Sequence, residues 1–265
     1  MSTDATDPTS YPDVNAVLHE VLARVQTILG LQVVGMYLYG SLASGHFDPQ
    51  RSDIDFLVVT TDELSDELLP ALAAMHAEIA VGSSPWATRL EGPFLPRRAL
   101  RRYDPAHARH PSIGVGQPFG VRHHHSDWVI QRHLIREQGV ALAGPHPRTL
   151  IDPVGPDDLR QAVRAILREW WLPKMQDPAW VHDREYQAFA VLTMCRALYT
   201  LHEGTVVSKP VAADWAQVAL GERWVGLIQR ALRWRPDDPS VDMDDTLALI
   251  GYAIKCSECL GATDR

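Results

Sequence analysis

Residues 31–60 read LQVVGMYLYGSLASGHFDPQRSDIDFLVVT, and the reading of this stretch decides the fold. Leu31 to Leu38 is β-branched and aromatic and predicts a strand that runs into the small-residue turn Gly40-Ser41. Eleven residues on, Asp53-Ile54-Asp55 opens a second run, Asp53 to Thr60, which alternates and then becomes wholly apolar, as in a neighbouring strand of a buried sheet. Aspartates at i and i+2 on a strand project to one face, so both carboxylates can grip one or two hard cations through oxygen. Gly40 lets the backbone approach a phosphate closely, and Ser41 offers a hydroxyl and an amide as donors. Ser52, beside the aspartates, is a further candidate on the nucleotide side. Phosphoryl and nucleotidyl transfer need charge neutralisation and in-line positioning more than covalent chemistry. The two motifs together therefore point to Mg²⁺ and a nucleoside triphosphate. A third carboxylate from a nearby strand is still required, and Glu91 in Arg89-Leu90-Glu91 is the candidate, as metal ligand or as general base for an acceptor hydroxyl.

Around this centre, Val14 to Leu29 carries the stripe of an amphipathic helix ended by Gly30. Asp62 to Ala80 predicts a helix with Asp62 as N-cap and a kink at Pro70, and Ala87 to Leu95 a short strand interrupted by Gly92-Pro93. Pro96 to Ser126 reads as an irregular excursion with one short strand near Gly120 to His125. Asp127 to Gln138 is helical, Val140 to Ala143 a small strand, and the Gly and Pro punctuation from Gly144 to Pro156 a linker. Beyond it only helical patterns follow: Asp157–Leu172, Arg184–Glu203 ended by Gly204, Ser208–Leu220, Glu222–Trp234 and Met243–Leu260. The expected fold is an α/β domain over 1–155, a mixed sheet flanked by helices, and an all-α helical bundle over 156–265.

Composition bounds the function. Across 265 residues, 25 Lys and Arg against 33 Asp and Glu give a net charge of −8, which lends no sequence-wide attraction for nucleic acid and suits a cationic small molecule better. Three cysteines, Cys195, Cys256 and Cys259, are an odd count, so a disulfide framework is not expected, and Cys256-x-x-Cys259 reads as one buried face of a helix. The first twenty residues lack the basic and apolar regions of a signal peptide, and no apolar run reaches the roughly 18 residues of a membrane span. A monomeric cytoplasmic protein is expected. His123, His124, His125 and His133 read as structural groups, most of the tryptophans as core, and Arg97, Arg98, Arg101 and Arg102 as a solvated or nucleotide-facing helix.

The Gly40-Ser41 and Asp53-x-Asp55 pair resembles the signature of the polymerase-β-type nucleotidyltransferase superfamily. Val140-Ala141-Leu142-Ala143-Gly144-Pro145 with Ile151-Asp152-Pro153-Val154 is similar to the hinge of the aminoglycoside 3″/9-adenylyltransferases, which inactivate streptomycin and spectinomycin. The run Val191 to Tyr199 followed by Ser208-Lys209 and Ala212 to Ala216 is similar to their helical domain. The resemblance covers nearly the whole chain. It implies an enzyme that moves AMP from ATP to a hydroxyl of a small aminoglycoside-like acceptor, with its helical domain closing over ATP and acceptor. It further implies Glu91 as catalytic base, and Arg196 and Lys209 as the cations that contact the ATP phosphates. Near the start of the central helix, where the family holds its drug, Trp180, Asp183 and Glu185 supply matching chemistry. About three extra residues break the register there, and an ungapped alignment sets Tyr186 where the family has its acid. Two alternatives stay open at this point: the same chemistry on a protein or nucleic-acid end, and a nucleotide-binding protein without catalysis.

Overall fold

The computed structural model describes residues 7–235 and 242–262; the first six residues of the polar tail lie outside them. The chain divides into two compact units, Met1–His124 with Gln131–Pro153, and His125–Ile130 with Val154–Arg265.

In the first unit six strands form one mixed sheet in the order β5-β4-β3-β2-β1-β6. They are β1 (Val33–Leu38), β2 (Ile54–Thr60), β3 (Leu90–Pro96), β4 (Arg109–Gly114), β5 (Gln117–His123) and β6 (Val140–Ala143). Only β2 and β3 pair in parallel; β1 pairs antiparallel with both β2 and β6. Period-two alternation splits the strands between two faces. Met36, Leu38, Phe56, Val58 and Phe94 face the helices α1 (Pro12–Leu29) and α3 (Leu69–Ala80), whose Leu18, Val21, Val25, Leu72 and Met75 complete one core. Side chains of this size, fully buried, each contribute roughly 1.5–3 kcal/mol. Tyr37, Leu57, Val59 and Leu95 are buried on the opposite face.

Proline and glycine placement accounts for the departures from expectation. The predicted helix over 62–80 starts only at Leu69, because Pro70 lies in its first turn, where a missing N–H costs nothing, rather than kinking its middle. The expected break at Gly92-Pro93 is absent: β3 runs through both residues, and a Cβ at Gly92 would sit 2.4 Å from the Phe56 carbonyl oxygen, so glycine is what allows β2 and β3 to pair closely. The excursion over 96–126 contains the short helix α4 (Arg97–Arg101) and the β4–β5 hairpin, turned at Val115-Gly116 with Gly116 at φ +66°. The arginine knot is ion-paired at the surface. Arg98 meets Glu63 at 3.0 Å, while Arg101 and Arg102 share Asp152, whose carboxyl is held below its ordinary pKa by the Arg102 hydrogen bond first.

The helix α5 (Asp127–Gln138) precedes β6, and the second unit is helical. Its elements are α6 (Pro156–Ile166), a π-helical turn over Leu167–Trp171, α7 (Leu172–Gln176), α8 (Arg184–Glu203), α9 (Lys209–Ala219), α10 (Val225–Arg233) and α11 (Met243–Ala262). α8 ends at Gly204 in the left-handed region and lies at the centre, with Ala190, Val191, Met194, Cys195 and Leu198 packed among the other helices. The π turn replaces the end of the predicted helix over 157–172 and turns Trp170 outward while Trp171 is buried. Contrary to the expected buried Cys-x-x-Cys face, Cys256 is half-buried and Cys259 exposed. The buried stripe of α11 runs through Leu249, Ile250, Ala253 and Ser257 and leaves Cys259 aside. Among the described residues no helix is long and apolar enough to cross a membrane.

One buried group makes the first unit acid-sensitive. His76 on α3 stacks with Phe56 and Phe119, meets Phe94 edge-on, and its Nε2 is buried without a hydrogen bond. Burial, reinforced by the Arg24 charge, pushes its pKa from 6.5 down to about 4. As pH falls below 6.5 the unfolded chain takes the proton first, so the folded state loses stability progressively until about pH 4 and none above 6.5. Urea unfolding of the wild type at pH 7 and pH 5 should differ by about 2 kcal/mol from this group, and His76→Leu should remove that part. An unchanged pH dependence in the variant would exclude His76 as its source.

Candidate active site

The end of β1 and the start of β2 are tied together before any side chain is considered. The Tyr39 N–H donates to the Asp55 carbonyl at 3.2 Å, and the chain then turns into the single-turn helix α2 (Gly40–Ala43). Gly40 holds φ +67°, and a Cβ built there would lie 1.9 Å from Asp55 Oδ2. The backbone at position 40 therefore occupies the space directly beside the carboxylate, which only glycine permits. The following Ser41 Oγ is buried and makes no hydrogen bond.

Asp53 and Asp55 share the sheet face that carries Leu57 and Val59, opposite α1 and α3, and both are partly exposed. Parallel pairing of β2 with β3 sets Glu91 level with Asp55, so the exposed Glu91 projects from the same face at the same height. The sheet thus brings the three expected carboxyl groups to one edge. Among the described residues no group of three or more His, Cys, Asp and Glu is close enough to hold a metal ion by itself. A hard cation at this edge would rest on the aspartates and take further oxygens from phosphate and water, as Mg²⁺ commonly does.

The connection between the two motifs is built on Asp48. Its Oδ1 accepts from the Gln50 N–H at 2.9 Å, its Oδ2 meets Arg51 Nε at 3.1 Å, and its carbonyl accepts from the Ser52 N–H at 2.8 Å. Ser52 Oγ accepts from the Asp48 N–H at 3.0 Å, so this expected nucleotide-side residue also fastens its own loop. Arg89, two residues before Glu91, donates to the Pro49 carbonyl at 2.7 Å. Sequence reading missed this role of Asp48; Asp-Pro at a loop start is the signal that marks it.

The remaining candidates lie in the helical unit. Arg196 is half-buried on α8, and Lys209 is the first residue of α9, with its Nζ 4.4 Å from the Phe189 ring centroid. Asp183 caps α8, accepting from the Tyr186 N–H at 3.1 Å, and Glu185 is exposed in the first turn, where the helix dipole favours acid. The Trp180 indole donates to the Lys174 carbonyl at 2.9 Å. Its ring and those of Trp170 and Tyr186 lie 4.8–5.7 Å from the Lys174 ammonium. This aromatic enclosure is absent from the sequence reading, because its members sit on the π turn, a 3₁₀ turn (Pro178–His182) and α8, and no periodicity joins them. The histidine triplet separates: His124 is buried with Nε2 3.2 Å from Ser112 Oγ, whereas the His125 ring lies 5.4 Å from Trp170.

Comparison with known proteins places this arrangement. Residues 18–84 match the nucleotidyltransferase domain model, and residues 149–253 match the aminoglycoside adenylyltransferase C-terminal domain. An aminoglycoside (3″)(9) adenylyltransferase of Shigella flexneri is 28% identical over 231 residues, covering 83% of this chain and 84% of its own. A spectinomycin 9-adenylyltransferase of Campylobacter jejuni is 25% identical over 266 residues, covering 93% and 96%. The crystal structure of the spectinomycin adenyltransferase AAD(9) from Enterococcus faecialis with ATP and spectinomycin superposes with a TM-score of 0.72 at 17% identity, over 92% of this chain and 98% of that one, and so shares its fold. With a nucleotidyltransferase domain model and the aminoglycoside adenylyltransferase C-terminal domain model matching successive parts of the chain, and relatives matched over most of their length, the chain is a nucleotidyltransferase similar to the aminoglycoside adenylyltransferases.

Proposed function

We propose that the protein transfers AMP from ATP to a hydroxyl of a small cationic acceptor, an aminoglycoside or aminocyclitol, with Mg²⁺ held by Asp53 and Asp55. The observation that carries the reading is the seat around Asp55: a side-chain-free Gly40 against its carboxylate, a buried Ser41 hydroxyl without a bond, and Glu91 at the same register. These residues fit Mg²⁺·ATP. Gly40 leaves room for the Asp55 carboxylate, Ser41 has a hydroxyl to donate to a phosphate, and the carboxylates offer hard oxygen ligands. Held there by Asp53 and Asp55, Mg²⁺ would supply positive charge to offset that of the phosphates during an in-line transfer.

In the transfer an acceptor oxygen bonds to the α-phosphorus while the bond to the bridging oxygen breaks and pyrophosphate leaves. Glu91 takes the acceptor hydroxyl proton; its exposed carboxylate beside Asp55 is placed for that task. Arg196 and Lys209 supply positive charge to the triphosphate, Arg through a planar fork and Lys as a point charge. Ser52 serves the same side while holding the Asp48 loop. Trp180, Asp183 and Glu185 form the acceptor side, where carboxylates and ring faces suit ammonium groups. Functionally residues 1–155 act as the transferase domain and 156–265 as the helical domain. The names of the relatives support AMP and an aminoglycoside, and the net charge of −8 favours a cationic acceptor over nucleic acid. We take the enzyme to be a monomer of the cytoplasm, where ATP and Mg²⁺ are supplied.

Asp53→Asn and Asp55→Asn should each abolish measurable transfer with little change in melting temperature, since a ligand is lost and no core packing. Glu91→Gln should keep ATP affinity but lower kcat by on the order of 10²–10⁴-fold. Near-full turnover in either aspartate variant would refute the metal assignment, and a loss of ATP affinity in Glu91→Gln would make Glu91 a metal ligand instead of the base.

Gly40→Ala tests the seat itself. The new Cβ forces the Asp55 carboxylate aside and strains a left-handed backbone, so turnover should drop on the order of 10²-fold while the fold loses about 1–2 kcal/mol. Full activity in Gly40→Ala, measured as pyrophosphate release, would show that the close approach is not needed.

A further inference from the structure

An ammonium ion among ring faces is the arrangement by which proteins recognise organic cations, and in the helical unit the ion belongs to the chain itself. The half-buried Lys174 holds its Nζ 4.8 Å from the Trp170 ring centroid, 4.9 Å from that of Tyr186 and 5.7 Å from that of Trp180. The rings do not owe their places to the lysine. Trp180 and Tyr186 meet edge to face at 5.2 Å, and the buried Trp171 backs them at 6.1 and 6.3 Å. Tyr186 is fixed further through its backbone N–H, which donates to the Asp183 carboxylate at 3.1 Å. Trp170 stands 39% exposed on the π turn and is the wall nearest solvent.

A lysine is not needed to fill this space. A leucine would pack against the same rings with less loss of rotamer freedom and no charge to draw out of water. The main chain at position 174 is fastened independently, because the Trp180 indole donates to the Lys174 carbonyl at 2.9 Å. What the side chain adds is a positive charge on ring faces that a free cation would otherwise use. A second cation approaching those rings finds them occupied and meets like-charge repulsion. We propose that Lys174 is a specificity-determining residue for the acceptor: its ammonium occupies the faces of Trp170, Trp180 and Tyr186 and keeps a cationic group of the acceptor off them. The inference rests on the proposed function, which sets Trp180, Asp183 and Glu185 on the acceptor side, and goes beyond it by naming what limits the cations that side accepts.

Two measurements on the full-length protein test it. The first follows tryptophan fluorescence without nucleotide as tetramethylammonium chloride is added, against sodium chloride at equal ionic strength. Lys174→Ala should bind tetramethylammonium about five- to thirtyfold more tightly than wild type, Lys174→Arg should match wild type, and the gain should vanish when Trp180→Leu is added to Lys174→Ala. The second is kinetic, with Mg²⁺·ATP and a panel of aminoglycosides. Lys174→Ala, and Lys174→Met, which keeps the length of the side chain without its charge, should lower the acceptor KM about three- to tenfold and move the ATP KM by less than about 1.5-fold. Equal tetramethylammonium affinity in wild type and Lys174→Ala, a gain that survives Trp180→Leu, or an acceptor KM unmoved in both uncharged variants would overturn the inference alone. If neither wild type nor variant modifies any aminoglycoside, the acceptor assignment falls and this inference with it.

Discussion

The absence of a side chain at position 40 is the constraint on which the site depends. Tyr39 hydrogen-bonds to the Asp55 backbone, the chain turns with Gly40 at φ +67°, and the Asp55 carboxylate fills the place where any Cβ would stand. That one contact brings the backbone and the Ser41 hydroxyl close to the Asp55 carboxylate and keeps the aspartate at the end of a rigid sheet, as the proposed transfer requires. Parallel pairing of β2 with β3 then sets Glu91 level with Asp55, and Arg89 ties the approach to β3 to the Asp48 loop through the Pro49 carbonyl. The sheet core behind these strands, from Leu18 and Val21 through Phe56 and Phe94, has little polar content of its own. It is the stiff backing against which three carboxyl groups are displayed. His76 is a titratable group buried against it, and its cost grows as the medium becomes acidic.

How much of this was legible in the sequence depends on whether the information is local. The stretch 31–60 carries its strands in β-branched runs and its turn in Gly-Ser, and β1, α2 and β2 follow it closely. The helices after residue 156 are legible for the same reason, since a stripe at three- and four-residue spacing already implies the core that buries it. Where glycine and proline punctuate, local reading misleads. Gly92-Pro93 looks like a break, yet the glycine is there because Phe56 of the neighbouring strand leaves no room for a Cβ. Pro70 looks like a kink, yet it opens a helix. The β4–β5 hairpin was hidden because its strands hold Pro111, Gly114, Pro118 and Gly120, residues depleted from strands and tolerated here toward the edge of the sheet.

The candidate site divides the same way. Asp53, Asp55, Gly40 and Ser41 are adjacent in sequence and readable as a motif, while the level of Glu91 needed the register of a parallel pair. In the helical unit the sequence offers Arg196, Lys209, Asp183, Glu185 and one ring, Trp180, but not how the rings and the cations meet. Lys174 lies among Trp170, Trp180 and Tyr186, and Lys209 over Phe189. Tyr186 stands where ungapped alignment expects an acid, so this chain sets ring faces in a region that the resemblance assigns to carboxylates. The physical consequence is a set of ring faces that attract the Lys174 and Lys209 ammonium groups.

The central claim is the transfer of AMP to an aminoglycoside or aminocyclitol. Incubating the protein with ATP, Mg²⁺ and a panel that includes streptomycin and spectinomycin, and weighing the products by mass spectrometry, tests it directly. The expected result is an acceptor heavier by one AMP group, with one pyrophosphate released per molecule modified. ATP binding without an adduct on any member of the panel would contradict the claim.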